Sequence, residues 1–329
     1  VTDSDTERLA EAPAATARPG TPATHARPEA PAATARRRAR AIAAIIGAAA
    51  TFAIAATLVK LIAPAIPTAQ IVFFRCIVAV TALWPLLARE GGVRALRTRQ
   101  PLWHLVRTLS GFGGMMTAFY GYATLPLAEV TALGFTMPLF LTILSIPLLG
   151  EKVGIRRASA VVVGFLGVLL ILRPGMSAIP LWPALIVVFG AVCWAMAMIA
   201  IRRMGQLGES NVTIVVWFSL GGTLLAGLLA VPVWVTPGWR ELAALIGVGL
   251  ASTVAQLLMT DAYRKGEPVI VAPFEYSGIL WTALVGLLLF DETPSPTMLA
   301  GVAVLVACGL YILHREVIRR REAEQDVRR

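Results

Sequence analysis

Charge is scarce in this sequence: 15% of its 329 residues are Asp, Glu, Lys or Arg, against about 25% in an ordinary soluble domain. Hydrophobic residues make up 57% and the mean hydropathy is +0.74. That balance excludes a water-soluble globular domain and fits a chain that crosses a membrane many times. Acid is the scarcer sign, 19 residues against 29 basic, giving a formal net charge of +10. A basic excess can mark a nucleic-acid partner, but here the basic residues sit in short loops and at the two ends and form no continuous patch. No nucleic-acid partner is expected. Cysteine is almost absent, and Cys76, Cys193 and Cys308 each lie inside an apolar run without metal-ligand spacing, as small core residues do. Histidines are too few for a metal cluster. No nucleophile motif stands beside a base, and no glycine-rich phosphate loop is present. Metal, cofactor and enzymatic chemistry are therefore not expected. Without an ATP-binding domain, any pumping by this polypeptide must draw on a gradient.

What the chain does have is a succession of long apolar runs. Ten are read, at 41–62, 68–87, 102–123, 127–149, 156–172, 181–202, 212–235, 240–262, 267–290 and 297–314. Each suits a spanning helix, which needs about 20 predominantly apolar residues. The fold class is all-α and integral to the lipid bilayer. Residues 1–40 are Ala, Pro, Thr and Arg, with the hexapeptide PAATAR repeated at 13–18 and 31–36. Such a segment buries too little to order itself and reads as a disordered basic tail. The first apolar run follows a basic cluster as a secretory signal would, yet further spans follow it and it has a counterpart later in the chain. Residues 315–329 form a second basic tail.

Lys and Arg set an expected orientation. With a cytoplasmic N-terminus the inner loops hold Arg89, Arg94, Arg97 and Arg99, then Lys152, Arg156 and Arg157, then Arg202 and Arg203, then Arg264 and Lys265. The outer side keeps only Lys60, Arg173 and Arg240. Both termini are expected in the cytoplasm.

The chain also repeats. An offset of 141 lays LSIPLLGE (144–151) on VGLLLFDE (285–292) and Tyr122 on Tyr263. An offset of 143 lays GAAATFAIAATLVK (47–60) on GAVCWAMAMIAIRR (190–203) and QIVFFR (70–75) on TIVVWF (213–218). Residues 41–175 and 181–314 thus form two halves of five spans each. An odd number of spans forces the second half to enter inverted, the architecture of secondary transporters, whose sites lie near the midplane between repeats.

The runs TLPLAEVTALGFTMPLFLTILSIPLLGEKVGIRRASAVVVGFLGVLLILRPG (124–175) and APFEYSGILWTALVGLLLFDETPSPTMLAGVAVLVACGLYIL (272–313) resemble the EamA branch of the drug/metabolite transporter superfamily. The second half carries Asp291-Glu292 where the family, and Gly150-Glu151 here, has Gly-Glu. The resemblance implies a bacterial inner-membrane, multi-pass protein that moves small organic molecules, of the amino-acid, S-adenosylmethionine, riboflavin or metallophore classes.

Glu275 is the only charge between Pro268 and Phe290. A charge at a helix centre costs about 2.5–3.5 kcal/mol on insertion scales. It shares a helical stripe with Gly278, Thr282 and Gly286, expected to face the interior while Phe274, Leu280, Leu284 and Leu288 face elsewhere. Pro273 is expected to kink the helix nearby. Glu275 reads as a proton carrier, a partner for a substrate amine, or a structural residue. Arg75 reads as a binder of carboxylate or phosphate, or as a structural partner of a buried acid, Glu275 among the choices, or of helix carbonyls. Gln256 belongs to a polar face with Ser252, Thr260 and Tyr263. Tyr276, Trp281, Tyr122 and Trp194 are further candidates, as walls for a flat or cationic ligand. His104 and Arg107 are expected to snorkel to the cytoplasmic surface. Glu292 is expected to favour the dipole of the helix that follows it. The expected partners are a small-molecule substrate, protons and the bilayer, with a homodimer left open. A uniporter or exchanger, and a membrane scaffold or sensor, stand as alternatives to a proton-coupled carrier.

Overall fold

The computed structural model describes residues 31–89, 92, 96–150, 154–172, 180–265 and 268–327. Residues 1–30 of the expected tail and the loop acid Glu151 lie outside them. The described chain is helical throughout its spans: α1 (Pro31–Ile62), α2 (Thr68–Arg89), α3 (Pro101–Thr124), α4 (Leu127–Gly134), α5 (Met137–Leu149), α6 (Ile155–Leu172), α7 (Leu181–Gln206), α8 (Asn211–Ala230), α9 (Trp239–Lys265), α10 (Pro268–Glu275), α11 (Ser277–Phe290) and α12 (Pro296–Val327). Two of the ten expected spans are each split into a helix pair, α4 with α5 and α10 with α11. Helix α1 begins ten residues before the expected edge of the tail, so 31–40 are helical. Pro31 fits the first helical position, and the Ala- and Arg-rich run behind it has high helix propensity.

Among the described residues nine spans are long and apolar enough to cross a membrane. Helix α3 is the remaining long helix. His104, Arg107 and a series of glycines lower its hydropathy; one face packs on α7 and α8, while Leu102, Leu105 and Leu109 are exposed.

Exchanging the two halves maps the main helix contacts onto one another. Helix α1 packs on α9 as α3 packs on α7; α1 meets α10 and α11 as α7 meets α4 and α5; α2 meets α9 as α3 meets α8. The pairs α2 with α8 and α6 with α12 join counterparts directly. Each repeat therefore lends its first helix to the other, and the halves interlock.

Two side-chain contacts mark the pseudo-twofold axis. Phe135 and Tyr276, related by the offset of 141, stack with ring centroids 4.6 Å apart. Arg75 and Phe218, related by the offset of 143, also meet, the guanidinium carbon lying 5.9 Å from the ring centroid. A residue touching its own repeat counterpart must lie beside the axis that relates them. In an inverted repeat that axis lies in the membrane plane. The left-handed caps repeat as well: Gly150 (φ 68°) ends α5 and Asp291 (φ 53°) ends α11.

Helices α6 and α12 approach until glycines meet. A Cβ on Gly301 would lie 2.6 Å from the Gly167 carbonyl oxygen. Backbone cannot yield as a flexible side chain does, so Gly301→Val should destabilise the bundle by about 1–3 kcal/mol. Thermal unfolding in detergent should show a lower Tm, and an unchanged Tm would mean that this contact does not hold α6 to α12.

Candidate functional site

Helix α10 ends at Glu275, and after the single residue Tyr276 the chain resumes as α11. Helix α4 ends at Gly134, the counterpart of Glu275, and α5 resumes after Phe135 and Thr136. Each break follows an eight-residue helix, so each lies about 12 Å from its own end of the span at about 1.5 Å per residue. That places both near the middle of a hydrocarbon core about 30 Å thick. Prolines flank the breaks differently, with Pro273 before one and Pro138 after the other. The breaks are thus a property of the fold, with proline aiding rather than dictating their position. The expected kink is there, three residues beyond Pro273.

The Glu275 carboxylate is partly buried and accepts a hydrogen bond from the Tyr263 hydroxyl on α9. No ion pair joins it to Arg75 or to another cation among the described residues. Its stripe points inward as expected: Gly278, Thr282 and Gly286 are buried, while Leu280 and Leu288 are 71% and 68% exposed. Tyr276 is clamped between Phe135 and α12, where a Cβ on Gly309 would lie 2.0 Å from its hydroxyl oxygen. The repeat equivalent of Tyr263, Tyr122, is hydrogen-bonded to Thr131 on α4 and packs into the apolar core. Each tyrosine near the end of its helix thus holds the broken helix that follows, but only the second repeat offers it a carboxylate.

A second polar cluster lies apart from the first. The Arg107 guanidinium stacks 4.0 Å from the Phe218 ring centroid and 5.9 Å from that of Trp194. Arg75 approaches Phe218 and the Cys76 thiol. Both arginines are buried, which overturns the expectation that Arg107 snorkels. The small residues of α3 explain this. Gly111 and Gly114 leave room for the guanidinium and for the Trp194 indole, and a Cβ on Gly111 would meet Arg107 at 1.9 Å. His104 is buried too, 3.7 Å from Glu209, which already accepts from the Thr98 hydroxyl and the Arg99 backbone N–H.

At the end of the bundle holding the C-terminus of α1, Lys60 pairs with Glu292 at 2.5 Å and donates to the Leu125 carbonyl at 2.6 Å. Glu292 also accepts the Leu127 backbone N–H at 2.8 Å. The carboxylate thus caps α4, in the other repeat, rather than the helix that follows it.

Of the remaining candidates, Gln256 is partly buried and its amide makes no hydrogen bond among the described residues, while Thr260 is exposed, so the polar face of α9 divides. The Trp281 indole N–H is buried without an acceptor. The structure thus joins Glu275 with Tyr263, and Arg75 with Trp194 through Phe218 and Arg107. Sequence reasoning assigned Arg107 to the surface and did not single out Phe218 or Phe135 for the site. The available signals were the place of Arg107 one turn before the Gly111–Gly114 stripe and the offsets that pair Phe135 with Tyr276.

Compared with known proteins, the EamA-like transporter family matches residues 39–173 and again 181–314. A riboflavin transporter of Rhizobium johnstonii is 31% identical over 264 residues, covering 78% of this chain and 85% of that protein. A pseudopaline exporter of Pseudomonas aeruginosa is 32% identical over 260 residues, covering 78% and 90%. An S-adenosylmethionine uptake transporter of Rickettsia prowazekii is 26% identical over 248 residues, covering 75% and 83%. A solved crystal structure shares the fold with a TM-score of 0.58 at 18% identity, over 88% of this chain and 98% of its own.

The notch for Tyr276 gives a sharp test. Gly309→Ala should lower Tm, by about 1–3 kcal/mol of overpacking, because Phe135 stops the ring from moving aside. Adding Tyr276→Phe removes the obstructing oxygen and should recover most of the loss. A double variant no more stable than Gly309→Ala would show that the hydroxyl is not what the glycine accommodates.

Proposed function

We propose, for a chain that belongs to the EamA-like transporter family and is a small-molecule transporter rather than an enzyme, that it is a secondary-active carrier in which Glu275 couples substrate movement to protons. The observation that carries this reading is the setting of Glu275: a carboxylate at a mid-membrane helix break whose partner is a neutral hydroxyl and not a cation. A buried acid serving structure is normally held by a cation. One held only by a hydroxyl can take up a proton from one side and release it to the other as access alternates. Its counterpart is Gly134, so the fold itself has no need of the acid.

The interlocked halves support alternating access about the axis near Phe135 and Tyr276. With the N-terminus placed in the cytoplasm by the Lys and Arg bias, the Lys60–Glu292 pair becomes an outer latch between the repeats. The named relatives set the first substrates to try: riboflavin, S-adenosylmethionine and pseudopaline. Their names include both uptake and export, so the direction of net flux follows from the gradient imposed in the assay.

Two experiments test this. In proteoliposomes, Glu275→Gln should retain counterflow exchange of a transported compound and lose accumulation driven by a pH gradient at fixed membrane potential. Undiminished pH-driven accumulation in that variant would end the proton-carrier role, and loss of exchange as well would assign Glu275 to substrate binding. For the latch, Ala283→Cys lines a cleft beside Glu292. In a background without native cysteines, Glu292→Gln should raise its labelling by an impermeant maleimide from outside several-fold. Equal labelling with and without the latch would remove it from the gate.

A further inference from the structure

We propose that Arg75 and Arg107 form an anion-binding site at the centre of the bundle, which receives a carboxylate or phosphate group of the transported molecule. The inference rests on the carrier reading and adds a substrate class to it. The two arginines come from adjacent helices of the first repeat, while Phe218 and Trp194, which face them, come from the second. The cluster therefore straddles the interface that an alternating-access motion opens and closes. Arg75 touches its own repeat counterpart, which places it beside the axis and so near the midplane.

The electrostatics point to a ligand. Both guanidiniums are buried, at 9% and 7% exposure, and they act on each other as like charges. No described carboxylate forms an ion pair with either of them. The Nε and Nη1 donors of Arg107 are sealed from solvent and have no acceptor. Burying one cation without a partner is costly, and burying two together is more so. A structural role would have supplied an acid; here the protein supplies aromatic faces instead. The Phe218 ring steadies the Arg107 charge 4.0 Å from its centroid without taking up the Nε and Nη1 donors, and such a guanidinium donor pair suits a carboxylate or phosphate oxygen. Neither repeat position calls for the charge: the counterpart of Arg75 is Phe218, and the 141 offset lays Arg107 on Val248.

The test uses the full chain in nanodiscs of phosphatidylcholine alone, with sodium phosphate and sodium succinate as probes at ionic strength held constant by sodium chloride. Both probes should raise Tm in the wild type. Arg75→Gln and Arg107→Gln should each raise the anion concentration needed by at least tenfold, and Arg107→Lys should lie between. The anion-free Tm of the Gln variants should equal or exceed that of the wild type, since each removes an uncompensated cation. Absence of any anion-dependent rise in the wild type overturns the site, as does a fall in anion-free Tm in both variants with the anion response retained. Discs containing phosphatidylglycerol separate the sources: if that lipid alone reproduces the rise and abolishes the response to soluble anions, the group bound is a lipid headgroup and the substrate assignment falls. Transport keeps the two readings distinguishable. Unchanged KM for a transported acid in both Gln variants would remove the site and leave the carrier, whereas arginine-dependent anion binding without transport of any compound would do the reverse.

Discussion

Inside a bilayer no water stands ready to solvate a charge or an unpaired backbone group, and the bundle is arranged around that constraint. Irregular backbone and ionisable side chains are tolerated only where protein encloses them. Both helix breaks, at Phe135–Thr136 and at Tyr276, turn inward and meet ring to ring. The leucines of α11 turn outward to the lipid, while its glycines and Thr282 line the interior face below Glu275 at the end of α10. Where the enclosure is deepest the helices run close, and glycines at 111, 114, 167, 301 and 309 let side chains and backbone into space that a methyl group would fill.

The second organising fact is that chemistry departs from symmetry. The main interlocking contacts repeat between the halves, and even the left-handed caps recur at Gly150 and Asp291. Three ionisable groups within the spans do not follow. Glu275 answers to Gly134, Arg75 to Phe218 and Arg107 to Val248. A duplicated scaffold can hold its shape with either residue of each pair, so the scaffold does not account for the charged ones. On the proposed reading they belong to the transported molecule and to the proton, which break the symmetry because a substrate has two different ends.

Much of this was legible in the sequence. Span count, the inverted repeat and the inward stripe through Glu275, Gly278, Thr282 and Gly286 all follow from local composition and helical period, which a bilayer enforces strictly. What escaped depends on distant partners. Arg107 sits two turns into α3, close enough to the surface to snorkel, and only the Phe218 ring and the room beside Gly111 turn it inward. Glu292 precedes α12 in the chain yet caps α4, because interlocked halves bring the start of α4 closer than sequence order suggests. The helicity of 31–40 was missed for a different reason: composition argued against a core, while helix propensity needs none.

The separation of the two polar clusters bears most on mechanism. Had Glu275 paired with Arg75, each would neutralise the other and the centre of the bundle would be a closed electrostatic unit, indifferent to what enters. Instead the acid rests on a tyrosine hydroxyl and the arginines rest on aromatic faces, partners that steady a charge without cancelling it. On the proposed reading, a bundle built this way is least stable when nothing is bound and gains most from a proton at one cluster and an anionic group at the other. Binding energy of that kind can shift an equilibrium between two packings, because it differs between them wherever the rocking of the repeats changes the distance between the clusters and their aromatic walls. Unpaired charges near the pseudo-twofold axis are thus a cost to folding that a carrier can recover at each turn of its cycle.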